Sequence, residues 1–108
     1  MSIRAEIKGG ACGFVTTVET TCEDGQHVVL QVHSDCPLVG KLAAALSEVD
    51  AFQEVLRAPL KDTRVAQLAD EFKLHTACIV PVGLLKAIEA AAGLALSAES
   101  GVVLTRIE

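Results

Sequence analysis

Two runs rich in Val and Thr, one ending at Cys22 and one starting at Gln26, flank the triplet Glu23-Asp24-Gly25. β-branched residues in short runs around such a triplet read as a β-hairpin. The triplet suits a three-residue loop whose last residue is left-handed, a conformation that glycine adopts without steric cost. Cys22 then pairs with Gln26. Counting outward sets Thr20 opposite Val28, Val18 opposite Leu30, Thr16 opposite Val32, Phe14 opposite Ser34 and Cys12 opposite Cys36. Opposed residues hold their Cβ atoms about 4.5–5.5 Å apart, so two thiols are expected together at the open end of the hairpin. A two-residue Asp24-Gly25 turn would shift every pair by one and send the thiols to opposite faces. The first register is preferred because it gathers Phe14, Val18, Val28, Leu30 and Val32 on one face.

The remaining pattern fills in around this hairpin. Ile3, Ala5 and Ile7 alternate with Arg4, Glu6 and Lys8, as in a half-buried strand, and Gly9-Gly10 breaks or bulges it. Pro37 sits where a first helical residue is favoured, and a helix is expected to about Val49 with Leu38, Leu42, Ala45, Leu46 and Val49 on one side. Asp50 is a cap for a second helix carrying Phe52, Val55 and Leu56, which Pro59 ends. Asp62 or Thr63 caps a third, with Val65, Leu68, Ala69 and Phe72 inward. Pro81 opens a last helix that Gly93 stops. Val102–Ile107 reads as a final strand. Strands, then helices, then one strand make an α+β fold: a single domain, residues 1–108, with an N-terminal hairpin, an antiparallel sheet, helices on one face and a C-terminal strand.

Composition narrows the function. The chain is 51% hydrophobic, enough for a packed core. A net charge of −5 with scattered Lys and Arg argues against nucleic acid as a partner. The opening residues lead straight into the alternating pattern, with no signal-peptide core and no run long enough to span a membrane. The expected location is cytoplasmic, where the four cysteines would stay reduced and serve as metal ligands, catalysts or core residues.

Cys36 precedes a Pro-started helix and Cys78 lies just before another. A helix start favours negative charge, and thiolate is the metal-binding form. Cys22, about 30 Å along the strand from Cys12, is read as a surface or edge thiol outside any common site. Asp35 and His75 are candidate fourth ligands, with a partner protein or a non-protein group as alternatives. No HExxH, GxSxG or GxGxxG motif occurs, and no catalytic residue is assigned.

Ala11-Cys12-Gly13, Asp35-Cys36, and Cys78 followed by the apolar helix from Leu84 resemble the iron–sulfur cluster scaffold family of the IscU/NifU type. The spacings, 24 residues from Cys12 to Cys36 and 42 from Cys36 to Cys78, are close to that family's. The resemblance spans about residues 10–92. It implies a metal- or iron–sulfur-cluster-binding protein with Cys12, Cys36 and Cys78 as ligands, a cluster or zinc as cofactor, and a sulfur-donor or cluster-acceptor protein as partner to a monomer or homodimer. The sequence departs from the family in four places: Phe14 replaces its Asp, Ala77 replaces its His, Glu71–Thr76 replaces its chaperone-read segment, and the strand expected at Val102–Ile107 is additional to its usual pattern. Without the family's Asp, storage, carriage or structural binding is expected more than rapid transfer. Two other readings stand beside it: a thiol enzyme or persulfide carrier using Cys36 or Cys78, and an interaction module whose cysteines are core residues.

Overall fold

The computed structural model describes residues 1–108. Strands β1 (Ser2–Lys8), β2 (Val15–Cys22), β3 (His27–Ser34) and β4 (Glu48–Asp50) form one antiparallel sheet in the order β1-β2-β3-β4. Helices α1 (Pro37–Ala45), α2 (Arg64–Glu71) and α3 (Val80–Ala91) complete the fold, with a π-helical turn at Phe52–Arg57 and 3₁₀ turns at Gly10–Cys12 and Leu60–Asp62. The fold is α+β, as the order of patterns implies. No helix is long and apolar enough to cross a membrane.

The period-two pattern decides which face of the sheet is covered. Ile7, Thr16, Val18, Thr20, Cys22, Val28 and Leu30 are buried, while Arg4, Glu6, Glu19, Gln31 and His33 face solvent. α3 lies on the covered face and runs antiparallel to β1. Gly83 backs directly onto Ile7, so closely that a Cβ there would overlap the Ile7 side chain. One turn further on, the Ala87 carbonyl meets the Thr20 hydroxyl at 3.4 Å, and the same hydroxyl reaches the Ile3 carbonyl at 3.2 Å. Leu42 of α1 and Leu68 of α2 close the core around Leu84 and Ile88.

Local signals behave as their chemistry requires. Pro37 opens α1 and Pro81 stands in the first turn of α3. The Thr63 hydroxyl accepts the Ala66 N–H at 3.0 Å and so caps α2, and Asp50 Oδ1 accepts from Phe52 N at 2.9 Å. Gly93, at φ +74°, ends the last helix.

Four expectations are corrected. The hairpin register is displaced by two residues: Cys22 pairs with Val28, Val18 with Val32 and Thr16 with Ser34. Asp24 is the cause. Its carboxylate accepts the Gln26 and His27 N–H groups at 2.9 and 2.8 Å, an Asx turn that draws two further residues into the loop. A slip of two keeps every side chain on its face, so Val18, Val28 and Leu30 are buried as expected, whereas Phe14, beyond the end of the ladder, is exposed and Val32 is half-buried.

α1 stops at Ala45, not Val49, because Glu48–Asp50 pairs with His27–Val29 as β4. In the second helical segment Leu56 is exposed and Glu54 is buried. The Ala58 N–H bonds to the Gln53 carbonyl, an i→i+5 step that widens the turn and breaks the 3.6-residue periodicity. Finally, Val102–Ile107 forms no strand within the chain. It has no partner strand, and residues 93–108 are all exposed.

Candidate metal centre

Cys12, Cys36 and Cys78 are free thiols that reach the same end of the sheet by three routes. β1 ends there at Lys8, β2 begins there at Val15, and Cys12 lies in the loop between them. The loop is closed by Gly9 N–H to the Phe14 carbonyl at 2.9 Å and Gly13 N–H to the Gly10 carbonyl at 2.9 Å. The Cys12 sulfur rests over Gly9, where a Cβ would collide with it. β3 also ends there, and Cys36 follows as the N-cap of α1, its carbonyl accepting the Gly40 N–H at 2.9 Å. Because α3 runs antiparallel to β1, its first turn lies beyond Ile7, and Cys78 stands two residues before the helix, next to its N-cap Ile79.

The three positions differ in burial. Cys12 is exposed, whereas Cys36 and Cys78 are half-buried and pack against the core. Their side chains share an end of the sheet without forming a ligand cluster: no three Cys, His, Asp or Glu side chains converge on one point. The expected face-to-face pairing of Cys12 with Cys36 fails for the register reason given above. Continuing the observed ladder past Thr16–Ser34 sets Phe14, not Cys12, level with Cys36.

Cys22 is also corrected. It is 3% exposed, within the core at the opposite end of β2, and its backbone pairs with Met1. The inward parity it shares with Thr20 and Val18 outweighs its place beside the turn.

Asp35 is exposed next to Cys36 and lines a cleft of about 500 Å³ with Thr17, His33, Ser34 and Gly40. His75 is exposed, three residues before Cys78, and its carbonyl accepts the Cys78 N–H at 2.9 Å. One element of the site is absent from the sequence reading. Buried Thr16 donates its hydroxyl hydrogen to Ser34 Oγ at 2.9 Å, and Ser34 Oγ accepts the Cys36 N–H at 3.2 Å. This relay fixes the start of α1 against β2. Ser34-Asp35-Cys36 carries the signal, since a Ser hydroxyl readily accepts the N–H two residues on.

A family model matches residues 3–103. The chain belongs to the family of unknown function DUF6951. No curated protein and no solved structure matches it. The matched span includes all four cysteines, the hydroxyl relay and the glycine-bounded loop around Cys12.

The donor chemistry suits a soft or borderline metal. Three thiolates with one further oxygen or nitrogen ligand make a common zinc set, and thiolates are the usual iron–sulfur ligands. Cys12 ends a single 3₁₀ turn and Cys78 sits in irregular backbone, both of which adjust at lower cost than a strand or helix interior. Cys36 is the fixed member of the three, held by the relay.

Proposed function

We propose that the protein binds zinc or an iron–sulfur cluster through Cys12, Cys36 and Cys78, as a divergent relative of the cluster scaffolds, in storage or carriage. The observation that supports this reading is the delivery of three free thiols to one end of the sheet by three separate chain segments, while Cys22 is held in the core at the other. The chain's own contribution is positional. The relay from Thr16 through Ser34 fixes Cys36, and the loops bearing Cys12 and Cys78 supply the adjustment that a shared site requires. Asp35 and His75 are the protein candidates for a further ligand. Bound metal would supply a fixed cross-link between β3, the Gly9–Gly13 loop and the segment before α3.

Anaerobic purification followed by metal analysis and visible absorption tests the proposal. The expected result is zinc, or iron with sulfide, lost when Cys12, Cys36 or Cys78 is changed to Ser and retained in Cys22→Ala. A folded protein that takes up neither zinc nor iron and sulfide overturns it. A second reading follows from the position of Cys36 as the N-cap of α1, next in sequence to Asp35 of the Thr17–His33–Asp35 cleft, namely a thiol nucleophile or persulfide carrier. Metal-free protein in which Cys36 alkylates far faster than the other thiols would favour that reading.

A further inference from the structure

Residues 102–107, Val-Val-Leu-Thr-Arg-Ile, are strand-forming by composition, yet their apolar side chains are largely exposed. Val102 is 73% exposed, Val103 and Leu104 91%, and Ile107 96%. Four large apolar side chains within six residues are a costly thing to hold in water. The same molecule carries an unfilled strand position. β1 is the outer strand of the sheet, paired on one side with β2 and covered on its inner face by α3, so its other edge has no strand neighbour. No proline or bulge blunts that edge, which pairs with β2 without interruption from Ser2 to Lys8. Ile3 and Ala5, on the inner face beside it, are only half-buried.

The two features match in kind and in length, six residues against seven. Direction decides whose edge is used. α3 runs antiparallel to β1 and delivers the chain to the Ser2 end of that strand. A segment starting there and running along its own β1 would lie parallel to it, in a sheet whose every other pair is antiparallel. Antiparallel pairing with its own β1 would first require residues 94–101 to travel back about 20 Å along the strand. Those residues instead stand exposed, Leu96 at 90%. A second copy imposes no such constraint.

We infer that Val102–Ile107 of one copy adds as an antiparallel strand to the free edge of β1 in a second copy, with the exchange reciprocated. The partner is this same chain. Backbone hydrogen bonds extend each sheet from four strands to five. Alternate side chains of the added strand cover Ile3 and Ala5 on the inner face. The contact is isologous, so it closes at two copies.

Sedimentation and amide hydrogen exchange on the full chain test this. The expected species has twice the 11.3 kDa chain mass, with residues 102–107 and the outer-edge amides of β1 protected together, and both losing protection on dilution. Leu104→Pro removes a strand N–H at a position that is 91% exposed within its own chain. It should give a folded monomer in which both segments exchange freely. Four results would each overturn the inference: a wild-type monomer with residues 102–107 unprotected; a monomer with them protected, which places them on their own sheet; a dimer that Leu104→Pro leaves intact; or a dimer whose β1 edge stays unprotected.

Discussion

Thr16 and Ser34 face each other across the hairpin, and their hydroxyls join at 2.9 Å with Thr16 as donor. Ser34 Oγ also accepts the Cys36 N–H. Ser34→Ala leaves a buried hydroxyl and a helix-start N–H without their acceptor. The expected loss is about 1–3 kcal/mol of unfolding free energy, read from urea midpoints. Thr16→Val removes the donor while preserving shape and the bond from Cys36, and should cost about 1 kcal/mol. Equal effects would mean that Ser34 matters only as a partner of Thr16.

Glu54 is 4% exposed, and its two carboxylate oxygens accept the Arg64 and Val65 N–H groups at 2.8 and 2.9 Å. A helix start leaves such N–H groups unpaired and favours negative charge. The π-helical turn at Phe52–Arg57 thus turns an acidic side chain inward to a place where acid is wanted. Glu54→Ala should destabilise the protein by about 3 kcal/mol, since two hydrogen bonds to a charged group are lost. Glu54→Gln keeps one acceptor and should fall between. Thermal unfolding orders the three proteins.

Asp24 and His27 form an exposed ion pair at 2.7 Å beside the hairpin loop. Hydrogen bonds from the His27 side chain, then from the His27 and Gln26 backbone, hold the Asp24 carboxyl well below its ordinary 3.8. The Asp24 carboxylate in turn raises His27 above 6.5. The depressed acid contributes stability fully above 3.8 and loses it as pH falls through its folded value. The raised base contributes fully below 6.5 and loses it as pH rises through its own. Their joint contribution is therefore flat between about pH 4 and 6.5 and declines on both sides. The difference in urea midpoint between wild type and Asp24→Asn should trace that plateau. In the variant, the His27 ring should titrate closer to 6.5 by NMR.

Features set by one residue and its chain neighbours were readable in the sequence. Thr63 caps α2, Pro37 and Pro81 mark helix starts, Gly93 ends α3, and the parity of β2 and β3 names the buried face. Features that depend on competition between partners were not. Asp24 could leave the loop short or bind its backbone and lengthen it, and the second outcome moves Cys12 away from Cys36. Val49 fits the periodicity of α1, but the ladder to Val28 takes it as a strand. Val102–Ile107 has strand composition, yet a strand needs an edge to pair with, and composition does not say whose. For the candidate site, the sequence identifies the three thiols and the structure adds the relay that fixes only Cys36.

Gly9 offers a way to test the thiol site without removing a sulfur. Its backbone is right-handed, at φ −74° and ψ −16°, so alanine meets no conformational penalty there. The obstacle is steric: a Cβ would overlap the Cys12 sulfur and approach the Phe14 carbonyl oxygen to 3.0 Å. In Gly9→Ala the Cys12 side chain must therefore swing away or the loop must open. Overpacking at a surface loop should cost about 1 kcal/mol, the low end for such changes. Because Cys12 is exposed, its displacement should leave the core unaltered, and the variant should remain folded. If Cys12 is a ligand, metal content after anaerobic purification should fall together with that small loss. Unchanged metal content, with the Cys12 displacement confirmed by a changed alkylation rate, would remove Cys12 from the ligand set and leave Cys36 and Cys78 to be completed by Asp35 or His75.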